Sequence, residues 1–309
     1  MDVSLNAEVM HPKLIALEKK FKPAVLSRIV DPLLDRYRIE LWIKRDDLIH
    51  PVISGNKWRK LKYILDHALS LNVRTLISMG GAYSNHLHAL AYAGRQLGLK
   101  TIGLVRGERP GVLNSALLDM QRWGMDLRFV SRSDYRLLRQ YKGWQDLPGI
   151  ESGQYWLPEG GSQSLALRGV AELVREIEQP YDIICAPCGT GTTLAGIIDA
   201  VPGQVFVQGV AALKNAGFLT ADIEQLLEHP NTHWQINLDY HFGGFAKAPD
   251  ELFNFMRAFE LKTAIPLEPI YTGKMLYALY DLMAKNHFKP GQRIIAVHTG
   301  GLQGNRGFN

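Results

Sequence analysis

Apolar positions change their spacing repeatedly along the chain. Ile39-Glu40-Leu41-Trp42-Ile43 alternates one residue in two, the mark of a half-buried strand. Soon after, Leu61, Ile64, Leu65, Ala68 and Leu69 recur at helical steps, which predicts a helix from about Asn56 to Leu71. Short strands are expected over residues 75–79, 101–105, 127–130, 182–186, 204–212 and 293–297. Helical spacing lies between them, over about 85–97, 114–123, 164–177, 193–201, 251–261 and 273–285. Gly98 and Gly124 close two of these helices. The stretch near 141–154 is looser, and neither an internal repeat nor a low-complexity tract is visible.

Strands alternating with helices predict an α/β fold, with mostly parallel, twisted open sheets and helices on both faces. Single cores stop growing near ~250–300 residues. A chain of 309 residues, 46% of them hydrophobic, therefore suggests two lobes. The formal net charge of +5 attracts anionic ligands. It lacks the dense basic stripe with interleaved aromatics that nucleic-acid binding needs. The densest basic cluster is Lys57, Arg59, Lys60 and Lys62, and the last three read as a solvated helix face.

Cys185 and Cys188 are spaced C-x-x-C, but no second pair completes a zinc site, and their apolar surroundings favour packing over redox chemistry. No metal is expected. So few cysteines fit a reducing compartment. Asp2 and Glu8 argue against a secretory leader, and no run of ~18 apolar residues suggests a membrane span. The expected location is the cytoplasm.

Four turns rich in Gly, Ser, Thr and Asn interrupt the pattern where strands run into helices or loops: 54–57, 80–85, 189–193 and 298–301. In open α/β sheets ligands sit at the carboxyl ends of strands, so four such turns suggest one shared site. Gly189-Thr190-Gly191-Thr192-Thr193 lacks the lysine of a Walker loop and the third glycine of a dinucleotide loop. Its glycines, hydroxyls and helix start suit a single phosphate group, or else only a capped turn. Lys57 opens a helix after such a turn. A partly desolvated lysine there favours the neutral amine that Schiff-base chemistry and proton transfer need, although most lysines are simply surface residues. Ser84 and Asn85 can cap a helix or hold a carboxylate. His86 and His88, two apart, face different directions on a helix and read as ordinary helix residues.

Taken together and in order, these segments resemble the pyridoxal-phosphate enzymes of fold type II. The branch they most resemble contains 1-aminocyclopropane-1-carboxylate deaminase and D-cysteine desulfhydrase. The residues that carry the resemblance are Lys44-Arg45-Asp46-Asp47, Ser54-Gly55-Asn56-Lys57-Trp58-Arg59-Lys60-Leu61, Gly80-Gly81-Ala82-Tyr83-Ser84-Asn85-His86 and Gly160-Gly161-Ser162. Further on they are Gly189 to Gly196, Tyr271-Thr272-Gly273-Lys274 and His298-Thr299-Gly300-Gly301. The resemblance implies a large cofactor-binding domain over 1–59 and 161–309, with a small α/β domain inserted over 60–160. It implies that Lys57 carries pyridoxal 5'-phosphate covalently and moves the proton at the substrate Cα, with Ser84 assisting. Cofactor contacts would come from Asn85 at the ring oxygen, Gly189, Thr190, Gly191, Thr192 and Thr193 at the phosphate, and Thr299 at the pyridine nitrogen. Substrate contacts would come from Tyr83, Ser84, Asn85, His86, Gly161 and Tyr271. A hydroxyl beside the pyridine nitrogen suits elimination better than transamination. A homodimer is expected by the same analogy.

One departure bears on the substrate. The branch carries a tyrosine before the Tyr-Thr-Gly-Lys block, and here its place falls on Phe245 or Ala246, with Tyr240 a register-shifted substitute. Ring opening of a cyclopropane relies on such tyrosine chemistry, whereas β-elimination needs only Cα deprotonation and a leaving group. The expected activity is therefore β-elimination from D-cysteine or a similar D-amino acid, giving a 2-oxo acid and ammonia. Ring-opening deamination is the second reading. A cofactor-binding protein with little catalysis is the third.

Overall fold

The computed structural model describes residues 10–308, so Asp2 and Glu8, read above against a leader, lie outside it. Within the described residues the strands are β1 (Leu26–Arg28), β2 (Glu40–Lys44), β3 (Thr75–Gly80), β4 (Lys100–Arg106) and β5 (Met125–Val130). After them come β6 (Gln154–Leu157), β7 (Ile183–Cys188), β8 (Phe206–Ala211), β9 (Trp234–Asn237) and β10 (Arg293–Val297). The helices are α1 (Pro12–Glu18), α2 (Pro32–Tyr37), α3 (Asn56–Ser70), α4 (Asn85–Leu97), α5 (Ser115–Arg122) and α6 (Arg132–Leu138). The second half adds α7 (Ser164–Arg175), α8 (Thr192–Ala200), α9 (Phe218–Glu224), α10 (Asp250–Thr263) and α11 (Thr272–Ala284). No described helix is long and apolar enough to cross a membrane.

Two sheets result. Six strands run in the order β1-β2-β10-β7-β8-β9, all parallel except the antiparallel β1 at one edge. Four wholly parallel strands run β5-β4-β3-β6. The α/β architecture with mostly parallel sheets is as expected. In each sheet the chain reverses its direction of travel, at β10 between β2 and β7, and at β3 between β4 and β6. Such switch points leave a crevice at the strands' carboxyl ends, where a ligand can settle.

The expected long elements appear within a few residues of their ends. The short ones β1, β6, β9, α1, α2, α6 and α9 carry too few residues to show a period. β6 lies at the edge of the loose stretch, and its burial runs unbroken through Tyr155, Trp156 and Leu157 rather than alternating.

Helix α3 corrects one expectation. Arg59, Lys60 and Lys62 are buried, not a solvated face. On one side α3 packs its apolar stripe of Leu61, Ile64, Leu65 and Ala68 into the core shared with α4 and the four-stranded sheet. On the other it meets α7 so closely that a Cβ on Gly169 would lie 1.9 Å from the Arg59 carbonyl oxygen. Arg59 and Lys62 are buried because acids await them. Arg59 donates to both Asp46 oxygens at 3.0 and 3.2 Å and to Glu176 at 2.5 and 2.7 Å. Lys44 joins the same Glu176 carboxylate at 2.5 Å, and Lys62 bridges Glu172 and Glu18. Arg59, Lys44 and Lys62 thus each have an opposite charge within hydrogen-bond reach, the condition under which desolvation is offset, whereas Lys60 has only the Gly160 carbonyl.

Cys185 and Cys188 sit unbridged and buried on β7. Burial raises the Cys188 thiol to about 12 and Cys185 well above its ordinary value, so little reactive thiolate forms.

Candidate active site

The turns after β2, β3, β7 and β10 meet in one cleft of about 1280 Å³ between the two sheets. Lys57, Ser84, Asn85, Thr193, Tyr271 and Thr299 line it.

Gly55 makes the first junction. Its φ of 61° turns the chain into α3, and a Cβ there would lie 1.9 Å from the Thr299 carbonyl oxygen, so only glycine lets the two turns touch. Asn56 then joins three of them. Its N–H donates to Thr299 O at 3.3 Å, its Nδ2 donates to Thr193 Oγ1 at 2.9 Å, and its Oδ1 accepts from Lys57 Nζ at 2.7 Å. The Lys57 amine is thereby held against the phosphate-type turn. Burial pushes its ammonium form down to about 8, against the pull of the Glu268 carboxylate. Asn56 belongs to the motif but carries no expected role of its own. Its signal was the amide beside the lysine.

Gly191 serves the turn before α8. It takes φ 74°, and a Cβ there would come within 2.6 Å of Ile223. The N–H groups of the first turn of α8 are free of helical partners and point outward, the arrangement that favours an anion. Gly189, Thr190, Gly191 and Thr193 line the cleft, whereas Thr192 is buried behind them with its hydroxyl 3.1 Å from that of Thr190. Lys60, one helical turn beyond Lys57, also reaches the cleft and donates from Nζ to Gly160 O. Burial and the Lys57 charge push it well below its ordinary value. A negatively charged group in the cleft would draw it back to the ammonium form.

Ser84 caps α4, accepting from Leu87 N at 3.2 Å and leaving its own O–H free to donate. Asn85 Oδ1 accepts from Gln303 Nε2 at 2.8 Å, which leaves the Asn85 Nδ2 as the free donor. His86, read as an ordinary helix residue, lines the cleft, while His88 does not and packs on Trp123 and Asp119. Ser78 donates its one hydroxyl proton to Leu157 O, so its oxygen accepts from His86 Nε2 at 2.8 Å. Nδ1 then carries the lone pair and has no partner. Burial, with the Lys60 and Lys57 charges, holds this imidazole neutral. Gly161 packs beside it without lining the cleft. Tyr83 is exposed at the mouth, against Gly307.

Glu268 is a further residue that sequence reasoning missed. It is fully buried, and its carboxylate accepts from the N–H groups of Ile270 at 2.9 Å, Tyr271 at 2.8 Å and Thr272 at 2.6 Å. It thus shapes the turn that aims Tyr271 at the cleft. Burial with the Glu268 and Glu159 carboxylates raises the Tyr271 phenol far above its ordinary value, so it remains an O–H donor. Lys274 fixes the facing loop, donating to the carbonyls of Ala212, His241 and Gly244 at 3.3, 2.9 and 2.9 Å. Phe245 and Ala246 then face the cleft. Tyr240 is not the register-shifted substitute, because its hydroxyl donates to Asp281 at 2.6 Å, away from the cleft lining.

The C-terminal turn completes the wall. Gly304, Gly307 and Phe308 line the cleft, and Arg306 reaches Asp119 on α5 at 2.7 Å.

Residues 28–300 match the family model described as pyridoxal-phosphate dependent enzyme. The chain is 31% identical to the bifunctional D-cysteine desulfhydrase/1-aminocyclopropane-1-carboxylate deaminase of Arabidopsis thaliana, over 86% of this chain and 73% of that one. It is 27% identical to a 1-aminocyclopropane-1-carboxylate deaminase of a Bradyrhizobium strain, over 88% and 89% of the two. A solved structure of an ACC deaminase homologue superposes with a TM-score of 0.80 at 28% identity, covering 96% of this chain and 97% of the other.

Proposed function

Because the chain belongs to the pyridoxal-phosphate dependent enzymes, in the branch of 1-aminocyclopropane-1-carboxylate deaminases and D-cysteine desulfhydrases, we propose that it eliminates the β-substituent of a small D-amino acid such as D-cysteine. The products are a 2-oxo acid and ammonia. The observation that carries this reading is the pairing of Phe245 with Tyr271 in the cleft, where one ring of the two bears no hydroxyl.

The cleft residues fit the cofactor. An amine pushed to about 8 stands at one end, and a Gly-Thr turn opening a helix stands beside it, joined through Asn56. Pyridoxal phosphate supplies an aldehyde for the amine and an electron sink for charge left at the substrate Cα. Lys57 would hold it covalently; Gly189, Thr190, Gly191 and Thr193 would take the phosphate, with Lys60 as counter-charge. Thr192 supports that turn from behind. Asn85 Nδ2 would be free to donate to the ring oxygen, and Thr299 would offer the pyridine nitrogen a hydroxyl in place of a carboxylate's charge.

The remaining roles belong to the substrate. Ser84 O–H and the amides of its turn hold the carboxylate. His86 is neutral and accepts rather than donates, while Gly161 leaves it room and Tyr83 borders the entrance. The Lys57 amine would move the proton at the substrate Cα, a role that its burial in the cleft suits by favouring the neutral, basic form. A thiolate leaves readily, since thiols ionise near ~8.5. Tyr271, kept protonated, donates to the departing group. A cyclopropane carbon is a far poorer leaving group, and Phe245 brings no hydroxyl to help open the ring.

The test measures pyruvate from D- and L-cysteine beside 2-oxobutanoate from 1-aminocyclopropane-1-carboxylate. Faster release from D-cysteine supports the reading, and a preference for the cyclopropane substrate overturns it.

A further inference from the structure

A second recess, of about 300 Å³, opens on the four-stranded-sheet side of the cleft and is lined by Arg106, Arg132, Tyr135, Arg136 and Arg139. Arg106 ends β4, Arg132 and Arg136 lie on α6, and Arg139 follows that helix. Buried Tyr135 forms the floor. The guanidiniums of Arg106 and Arg139 stand 5.7 and 5.6 Å from its ring, so cation–π attraction holds both over it.

The charges do not balance. Glu159 takes Arg139 at 2.7 Å and the Tyr135 hydroxyl at 2.6 Å, and Asp222 adds a weaker pull on Arg139. Among the described residues no carboxylate lies within ion-pair reach of Arg106, Arg132 or Arg136. Asp134, on the same helix, is engaged by Ser131. Three guanidiniums converging without a counter-ion repel one another, and an oxyanion among them removes that repulsion. The planar fork of arginine suits a phosphate or carboxylate in particular.

Location adds the second observation. Arg106 and Arg139 line both the recess and the cleft, so the two cavities share a rim. Glu159 leads directly into Gly160, whose carbonyl holds Lys60 and whose Cα faces Thr190. We propose that the recess is a subsite for a phosphate-type oxyanion, either free or carried on the far end of an amino acid in the cleft. The substrate-borne source rests on the activity proposed above, and the free-anion source does not.

The test uses the holoenzyme and its Arg132→Gln/Arg136→Gln double variant, since neither side chain lines the cleft and both are exposed. Calorimetry with inorganic phosphate at low ionic strength reads free-anion binding without any turnover. Titration of the visible absorption with O-phospho-D-serine, beside D-serine, reads the substrate-borne case. A tenfold or greater loss of phosphate affinity in the variant, steepest at low salt, supports a free-anion subsite. A tenfold loss confined to O-phospho-D-serine supports the substrate-borne one. Equal affinities of the two proteins for both ligands overturn the proposal, whatever the enzyme does with D-cysteine.

Discussion

The rings of Phe245 and Tyr271 meet edge to face, with centroids 6.2 Å apart and planes at 65°. Phe245 is half-exposed at the cleft, so a hydroxyl added to it gains an oxygen in the cleft without displacing core packing. Phe245→Tyr is expected to raise 2-oxobutanoate release from 1-aminocyclopropane-1-carboxylate by about tenfold or more, the effect of roughly 1.4 kcal/mol on a barrier. Pyruvate release from D-cysteine should change less. A coupled keto-acid assay on both substrates checks this, and an unchanged ratio removes Phe245 as the discriminating residue.

Lys57 gives a pH prediction. With its amine at about 8, the reactive neutral form grows roughly tenfold from pH 7 to pH 9, so cofactor capture by the apo-protein should accelerate over that range and then level off. Stability follows the same shift. Between about 8 and the ordinary lysine value the unfolded chain binds more protons than the folded one, so this group makes the apo-protein more stable as pH rises. Lys57→Met should abolish cofactor capture, raise the apo-protein's melting temperature at pH 7 and flatten that slope. Melting curves from pH 7 to 10.5 decide it.

Glu268→Gln tests the turn beneath Tyr271. The substituted amide keeps one acceptor but sets an N–H₂ against backbone donors, stranding at least one of the three N–H groups that the carboxylate satisfies. A stranded buried donor costs about 1–3 kcal/mol. Urea unfolding should show a loss of that size, and kcat should fall more than KM rises, because Tyr271 is misaimed while the substrate's carboxylate site is untouched.

Arg59→Leu leaves the buried Asp46 and the half-buried Glu176 without their shared guanidinium. Breaking such a pair from one side costs about 3–5 kcal/mol. Removing charge from both sides, as Arg59→Leu with Asp46→Leu, should cost less than the two single changes summed. A double-mutant cycle in urea reads the difference, and simple additivity would show that the two side chains do not act as a pair.

The elements that carry Lys57, Ser84, Asn85 and the 189–193 turn were legible because parallel strands deliver their carboxyl-end turns to one side, and those turns are marked by glycine and hydroxyl residues. Arg59, Lys60 and Lys62 were not legible. A charged residue on a helix looks solvated until its partner is known, and the partners here stand far off in sequence: Glu176 lies 117 residues from Arg59 and Gly160 lies 100 from Lys60. Glu268 was hidden for the opposite reason. Its hydrogen bonds are local, but a single acid before a turn carries no period and matches no spacing rule. Tyr240 shows the limit of alignment by residue type, since its hydroxyl answers to Asp281 rather than to the cleft.

Phe308 on the cleft wall and the Gln303–Asn85 bond set a practical constraint on engineering. An attachment point introduced between Gln303 and Phe308 would sit on the cleft wall and pull on the Asn85 side chain through that bond. Handles for immobilisation belong elsewhere, for instance on the exposed end of α10 at Leu261, which does not line the cleft.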